Sequence, residues 1–596
     1  MKALLAAMTL ALASQAHADG FLHADHKRIV DGADRPVILR GMGLGGWMLQ
    51  EGYMLDAPQF VGQHVIRSHV EDLIGADQTE AFYRAWRANE VTKADIDTMA
   101  GWGFNSVRLP MHYNLFMDDK GGWRGDGFTM VDHLVGWARA NDMYVILDLH
   151  AAPGGEGHDY SIADGDPTKP SLWDDPGNQD KTVALWRELA RRYHDEPHIG
   201  AYDILNEPNW GFQDAGDRNG CKETGNAPLR ALYQRIIAAI REVDQNHLII
   251  IEGNCWGNNY QGILPIADNN LALSFHKYWN NGTPDTIAPY LALRDQYDLP
   301  LWLGESGENS NAWFAANIRL VEDNGIGWSW WPLKKFGFNN PLQIQPNAGM
   351  AKVTAYWKGT GLRPSKTEAE TALTRLATHD IRFENNIFHK DVVDALFRSP
   401  WSDAAVPYAE HVITATGGTL SAVDYDMGRD GAAYHDTDSA DYHVSTGKRS
   451  SWNDGRTYRN DGVDIAIEHG KPIVSQMQPG EWLHYTLTAR RTGRYDLMLA
   501  AKGGVLSISL NNAAFRAGYR QQGQGPAPRC GPQCAGRQGG QRRGRPDLVR
   551  FQEGALNSRQ KAPLSPAGLP LRYVSFAVRR RKTLAWEHRS AAYFNT

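Results

Sequence analysis

Between residues 37 and 331 short apolar runs alternate with amphipathic stretches, and no other feature of the chain narrows its fold as far. Strands are predicted at 37–43, 104–109, 144–149, 199–205, 247–252, 271–275, 301–304 and 325–330. Helical periodicity fills most of the gaps, as at 91–102, 131–141, 181–193, 228–243 and 312–323. Eight strands with interleaved helices over about 300 residues fit an α/β fold of the closed (β/α)8 type better than a doubly wound sheet. Helical signals continue at 367–379 and 391–397, and either close the barrel or pack beside it.

From about residue 414 the text changes to loops rich in Gly, Asp and Tyr and to period-two runs at 482–487, 495–499 and 505–510, which read as an all-β sandwich of jelly-roll type. Past residue 515 it changes again. Residues 516–545 hold no acid and no Lys but seven Arg among many Gly, Gln and Pro, a composition that cannot bury a core. The reading preferred here is a shift of reading frame near residue 515, since GC-rich DNA read out of frame gives such text. A genuine disordered tail is the alternative, and a basic nucleic-acid arm comes third. The expected division is therefore a signal peptide at 1–18, a barrel with a helical extension at 19–400, a β-module at 411–515 and a basic low-complexity tail at 516–596.

The signal peptide rests on Lys2, an apolar run over 3–13, and Ala16-His17-Ala18 before a cut ahead of Asp19. That run is too short to span a bilayer, so the mature chain is expected to be exported, secreted or periplasmic, and off the membrane. Of four Cys, Cys221 and Cys255 can pair in an exported protein, while Cys530 and Cys534 lack the companions of a zinc knuckle. Charge is unevenly placed. Residues 516–596 carry 14 Arg and 2 Lys against 1 Asp and 2 Glu, so the body before them is acidic. An acidic body argues against nucleic acid as the main partner, whereas 20 Trp and 23 Tyr offer flat faces suited to sugar rings.

Barrel enzymes carry their chemistry where strands end on the C-terminal face. The polar residues that end the predicted strands are Arg108, His150, Asn206, Glu207, His276, Tyr278 and Glu305, with Trp330-Trp331 after the eighth. Two glutamates facing each other across such a mouth are what glycoside hydrolysis requires: one protonates the leaving oxygen, the other attacks the anomeric carbon or activates water. The residues alone do not say which is which. The His residues lie on separate strands without the paired spacing of a zinc protease, so no catalytic metal and no other cofactor for catalysis is expected.

The segments Arg108-Leu109-Pro110, Leu147-Asp148-Leu149-His150, Leu205-Asn206-Glu207-Pro208, His276-Lys277-Tyr278 and Leu303-Gly304-Glu305 resemble glycoside hydrolase family 5, the broad cellulase family, over about half of the chain. The resemblance implies that Glu207 is the acid/base and Glu305 the nucleophile of a retaining hydrolase. Arg108 and Tyr278 would then stabilise ionised Glu305, His276 would help to hold Glu207 protonated, and Asn206 would bond the sugar 2-hydroxyl. His150 is as much a structural histidine as a substrate contact. Trp331 is the expected platform under the reacting sugar, with Trp330 the runner-up. Trp47, Tyr113, Trp210, Trp256 and Trp279 are candidates for further subsites.

The stretch 40–47 and the stretch 149–154 are similar to members that act on β-glucans, exo-acting β-1,3-glucanases as well as cellulases, which favours β-glucan over mannan and leaves the linkage open; the reading taken is a cellulase-type endo-β-glucanase. Exo-β-1,3-glucanase, mannanase and a non-catalytic carbohydrate-binding protein are the alternatives. The insert at 49–90 and the loop at 155–176 could build an open groove or a closed pocket. A polysaccharide is the expected partner and a monomer the expected state. Residues 422–425, 434–436, 458–465 and 479–483 resemble carbohydrate-binding module family 6, with Tyr458 a candidate sugar aromatic and Trp482 a core residue. That family's second aromatic and its Asn come from a C-terminal part that is replaced here by the Arg-rich text, a departure that counts against glycan binding and against the module's usual structural calcium.

Overall fold

Eight parallel strands close into a barrel: β1 (Arg40–Gly43), β2 (Ser106–His112), β3 (Tyr144–Ala151), β4 (Ile199–Asp203), β5 (Leu248–Glu252), β6 (Leu271–Lys277), β7 (Leu301–Gly307) and β8 (Gly327–Trp331). The order runs β1 to β8, with β8 pairing back onto β1 through Trp328 and Arg40. The computed structural model describes residues 20–58, 61–214, 216–491, 495–502, 506–511, 513–515, 547–553 and 573–580. The proposed signal peptide, Cys530 and Cys534 lie outside them.

Strands β2 to β8 are buried along their whole length, which is why segments such as Leu248-Ile-Ile-Ile read as unbroken apolar runs: helices cover one face of each strand and the barrel interior the other. The helix Pro176–Tyr193 shows how the outer layer is specified. Asp175 caps it by accepting from the Gly177 N–H, Pro176 opens it, and Leu185, Trp186, Leu189, Ala190 and Tyr193 form its buried face.

The interior is layered. At the N-terminal end Tyr144, Ile146, Ala201, Leu248, Ile250, Ala272 and Trp302 form an apolar cluster. Leu22 and Ile29, from the hairpin of His23–Asp25 with Arg28–Val30, join it. At the other end the strands bury Arg108, Asp148, Asp203 and Glu252 instead.

The insert after β1 folds into helices Gln63–Ile74 and Ala76–Asn89, which share a second apolar core with Ala348–Trp357 and Lys366–Arg375. The helical signals past residue 345 thus pack beside the barrel together with the insert. Cys221 and Cys255 form a disulfide.

The chain divides into two units. The first comprises residues up to Asn309 together with Trp313–Phe397 and Tyr442–Arg449; the second comprises Ser310–Ala312, Arg398–Asp441 and the residues from Ser450 onward. The regular structure of the second unit is largely β. Strands His411–Ile413, Trp482–Ala489, Asp547–Glu553, Leu506–Leu510 and Ala513–Phe515 lie side by side in that order, and Gly418–Ser421, Tyr573–Arg580 and Tyr495–Lys502 form another sheet. Its core includes Val423, Tyr425, Tyr434, Ile465, Leu483 and Tyr485. The buried Arg459 guanidinium sits 3.6 Å from the centre of the Tyr425 ring and 2.6 Å from Asp461.

Two of these strands correct the reading of 516–596 as a low-complexity tail throughout. Asp547–Glu553 pairs with both Trp482–Ala489 and Leu506–Leu510, and Tyr573–Arg580 pairs with both Gly418–Ser421 and Tyr495–Lys502. The composition argument rested on 516–545. Beyond it, Asp-Leu-Val-Arg-Phe-Gln-Glu and Tyr-Val-Ser-Phe-Ala-Val-Arg-Arg have the β-branched and aromatic content of strands.

Candidate active site

The C-terminal ends of the barrel strands bring Arg108, His150, Asn206, Glu207, His276, Tyr278, Glu305 and Trp331 to one mouth. Glu305, in β7, accepts hydrogen bonds from the Arg108 guanidinium and from the Tyr278 hydroxyl at 3.1 Å. Glu207 follows β4 and lies 2.6 Å from Nδ1 of His276. A carboxylate oxygen of Glu207 and one of Glu305 lie within 4.8 Å of each other, with His276 in the same group. An inverting pair stands about 6.5–9.5 Å apart to admit a water, and a retaining pair about 5–5.5 Å.

The two glutamates are buried alike, at 6 % and 4 % exposure, but their partners differ. Burial pushes Glu207 up to about 7, against the opposing pull of His276 and with Glu305 adding to the rise. Burial would by itself push His276 down, yet Glu252, Glu305 and Glu207 around it hold it well above the usual imidazole range. The placement of His276 beside Glu207 matches the expectation from the sequence, but the sign of its effect is reversed. A cationic imidazole favours ionised Glu207, so it is burial that keeps that proton on.

Arg108 ties the floor of the mouth together. It is fully buried and reaches Asp148 at 3.2 Å, Asp203 at 2.9 Å and Glu252 at 3.2 Å, besides Glu305 and the Asn206 side-chain oxygen at 2.8 Å. One guanidinium cannot neutralise four carboxylates, and the burden is shared unequally. Burial drives Asp148 and Asp203 well above the carboxylate range. Burial acts the same way on Glu252, but His276, Arg108 and the Glu207 N–H donating at 2.7 Å hold it below its ordinary value. His150 is pushed down to about 3, chiefly by burial, and so is neutral, with Nδ1 donating to Asp148 at 2.9 Å. Its Nε2 is left to accept from the Asn206 amide at 3.4 Å.

Trp331 ends β8 with its ring plane 13° from that of His150 and the ring centres 5.3 Å apart; its indole N–H donates to the Tyr53 hydroxyl at 2.9 Å. Backbone strain gathers around the mouth. Glu207, Cys255, Trp256, Trp279 and Glu308 all have positive φ, a conformation that side-chain-bearing residues hold only where their surroundings impose it.

Among the other proposed aromatics, Trp47 is 3 % exposed with its indole N–H on the Arg87 carbonyl, and is a packing residue. Trp330 is buried among Trp313, Phe314 and Trp328. Trp210 is only partly buried and stacks on His158 at 3.8 Å, while Tyr113, Trp256 and Trp279 are also partly exposed.

Sequence reasoning passed over Glu252, Asp203 and Glu51. Glu252 closes the fifth predicted strand, so the strand-end test that found the others would have found it. Glu51 is 6 % exposed, and burial together with Glu305, Glu308 and Glu207 raises it well above the carboxylate range.

The sequence model of the cellulase family, glycosyl hydrolase family 5, matches residues 68–337. Cellodextrinase A of Ruminococcus flavefaciens is 30 % identical over 328 residues, covering 48 % of this chain and 83 % of that protein. A beta-xylosidase of Phanerodontia chrysosporium is 29 % identical over 362 residues, 54 % of this chain and 73 % of its own length. Endoglucanase C of Acetivibrio thermocellus is 29 % identical over 192 residues; the match takes in 32 % of this chain and only half of that protein. The chain belongs to the cellulase family of O-glycoside hydrolases, glycosyl hydrolase family 5.

Proposed function

We propose that this protein is an exported, retaining hydrolase of β-glucosidic bonds in β-glucan polysaccharides, with Glu207 as acid/base and Glu305 as nucleophile. The observation that carries the reading is the pair itself: two buried carboxyl groups with oxygens within 4.8 Å, one raised to about 7 and the other held by Arg108 and Tyr278.

In the first step Glu305 attacks the anomeric carbon while Glu207 gives its proton to the leaving oxygen. In the second, Glu207 takes a proton from water, which displaces Glu305. Arg108 and Tyr278 aim the Glu305 carboxylate. Asn206, fixed by Arg108 through its oxygen and by His150 through one amide hydrogen, keeps the other amide hydrogen for the sugar 2-hydroxyl. Trp331 offers an apolar face to the reacting ring. The chemistry proposed uses no metal and no cofactor, and the second unit is read as a carbohydrate-binding module of sandwich type.

Among relatives, an endoglucanase and a cellodextrinase favour β-1,4-glucan, while the beta-xylosidase keeps exo action and other β-glycans in view. A product analysis on cellulose oligomers, laminarin, mixed-linkage glucan, xylan and mannan decides between them. Glu305→Gln is expected to abolish measurable cleavage of the preferred polymer with its melting transition unchanged. Near-wild-type activity in that variant, or cleavage of mannan or xylan with none of glucan, overturns the assignment of the nucleophile or of the substrate class respectively.

A further inference from the structure

Strand β6 delivers Tyr278 to the nucleophile and then runs straight into an aromatic residue held in an unfavourable conformation. Trp279 has φ +51° and is partly exposed, and its ring centre lies 5.3 Å from that of Tyr278. A tryptophan in the left-handed region persists only where its surroundings over-determine it.

The surroundings here include a segment distant in sequence. Tyr442–Arg449 groups with the barrel unit. Its short helix His443–Thr446 places the His443 ring 5.3 Å from the Trp279 ring with the planes 30° apart. The Val444 N–H donates to the Trp279 carbonyl at 3.0 Å, and Ser445 Oγ accepts from the Asn281 N–H at 2.9 Å. Three successive residues of the segment therefore grip residues 279–281. Beside them the Val444 side chain is left 59 % exposed.

We propose that Tyr442–Arg449 is a substrate-binding element of the active site, and that Trp279, His443 and Val444 form a sugar-binding surface continuous with Tyr278 which contacts residues of the glycan beyond the reacting ring. The occupant is a polysaccharide chain, because only a substrate of several sugars both reaches the reacting carbon below Tyr278 and continues over Trp279. Sugar rings present axial C–H groups that suit stacked aromatic and aliphatic faces. Only the identity of that chain rests on the β-glucan reading; the surface itself does not.

The test compares substrate lengths in the full chain. His443→Ala, which removes the ring against Trp279, and Val444→Asp, which places a charge on an exposed position, are assayed on the smallest aryl β-glycoside that the enzyme cleaves and on a hexasaccharide of its preferred polymer. Both variants are expected to lower kcat/KM on the hexasaccharide about five- to ten-fold, mainly through KM, and to leave the aryl glycoside within two-fold of wild type. Equal losses on both substrates, or none on the hexasaccharide, overturn the proposal. Running the comparison on whichever polymer the enzyme cleaves separates its failure from that of the β-glucan reading.

Discussion

Nδ1 of His276 lies 2.6 Å from an oxygen of Glu207, and its Nε2 lies 3.1 Å from Glu252. The imidazole thus spans the proposed acid and a carboxylate that stays ionised, and it lowers the pH at which Glu207 gives up its proton. With Glu207 raised to about 7, log kcat/KM is expected to fall with slope −1 above that pH, because a general acid must be protonated in the free enzyme. His276 lowers the Glu207 value, so His276→Phe is expected to move the alkaline limb to higher pH while reducing the maximum. A limb that moves to lower pH would show that His276 holds the proton on.

Glycine is required against Trp331, the proposed platform. A Cβ at Gly43 would meet the Trp331 ring at 2.4 Å, and one at Gly45 would meet it at 2.6 Å. Neither distance is tolerated, and the ring is rigid. Gly43→Ala is expected to displace the indole, to lower kcat at least ten-fold and to lower the melting temperature, since overpacking a filled site costs about 1–3 kcal/mol. Full activity in Gly43→Ala would remove Trp331 from the reacting-sugar site.

Arg108 holds the mouth together electrostatically. Replacing it with Met would take the guanidinium from ionised Glu252 and from Glu305, and would leave Asp148 and Asp203, already driven towards the neutral form by burial, without its contact. Breaking a buried ion network in this way costs about 3–5 kcal/mol. Thermal unfolding of Arg108→Met is expected to show that loss, and Arg108→Lys to recover only part of it, since an ammonium cannot reach all the partners of a planar guanidinium. An unchanged melting temperature in Arg108→Met would mean that the carboxyl groups are already neutral without it.

The eight barrel strands were legible because burial on both faces writes them as apolar runs, and the predicted spans agree with the observed ones within a few residues. Strand ends were less so: β2 continues to His112 and β7 to Gly307, past the points where hydrophobicity stops, because the polar side chains there find partners distant in sequence, His112 on Asp164, Glu305 on Arg108 and Tyr278, and Ser306 on the Lys277 carbonyl. The N-terminal hairpin gave little signal, since three-residue strands carry almost no periodicity. The charges on Asp148 and Asp203, and the direction in which His276 acts on Glu207, depend on distances between strands far apart in sequence. The packing of the 49–90 insert against Ala348–Trp357 and Lys366–Arg375 likewise joins segments that no local pattern connects.

The central claim is that Glu305 attacks the sugar directly while Glu207 serves first as acid and then as base. The most direct test is proton NMR of the anomeric hydrogens during the first minutes of cleavage of a β-linked gluco-oligosaccharide, before mutarotation. Two displacements at the anomeric carbon return the original configuration, so the new reducing end is predicted to appear as the β anomer and to drift later towards the equilibrium mixture. A product that appears first as the α anomer would mean a single displacement by water, and would contradict the assignment of Glu305 as nucleophile.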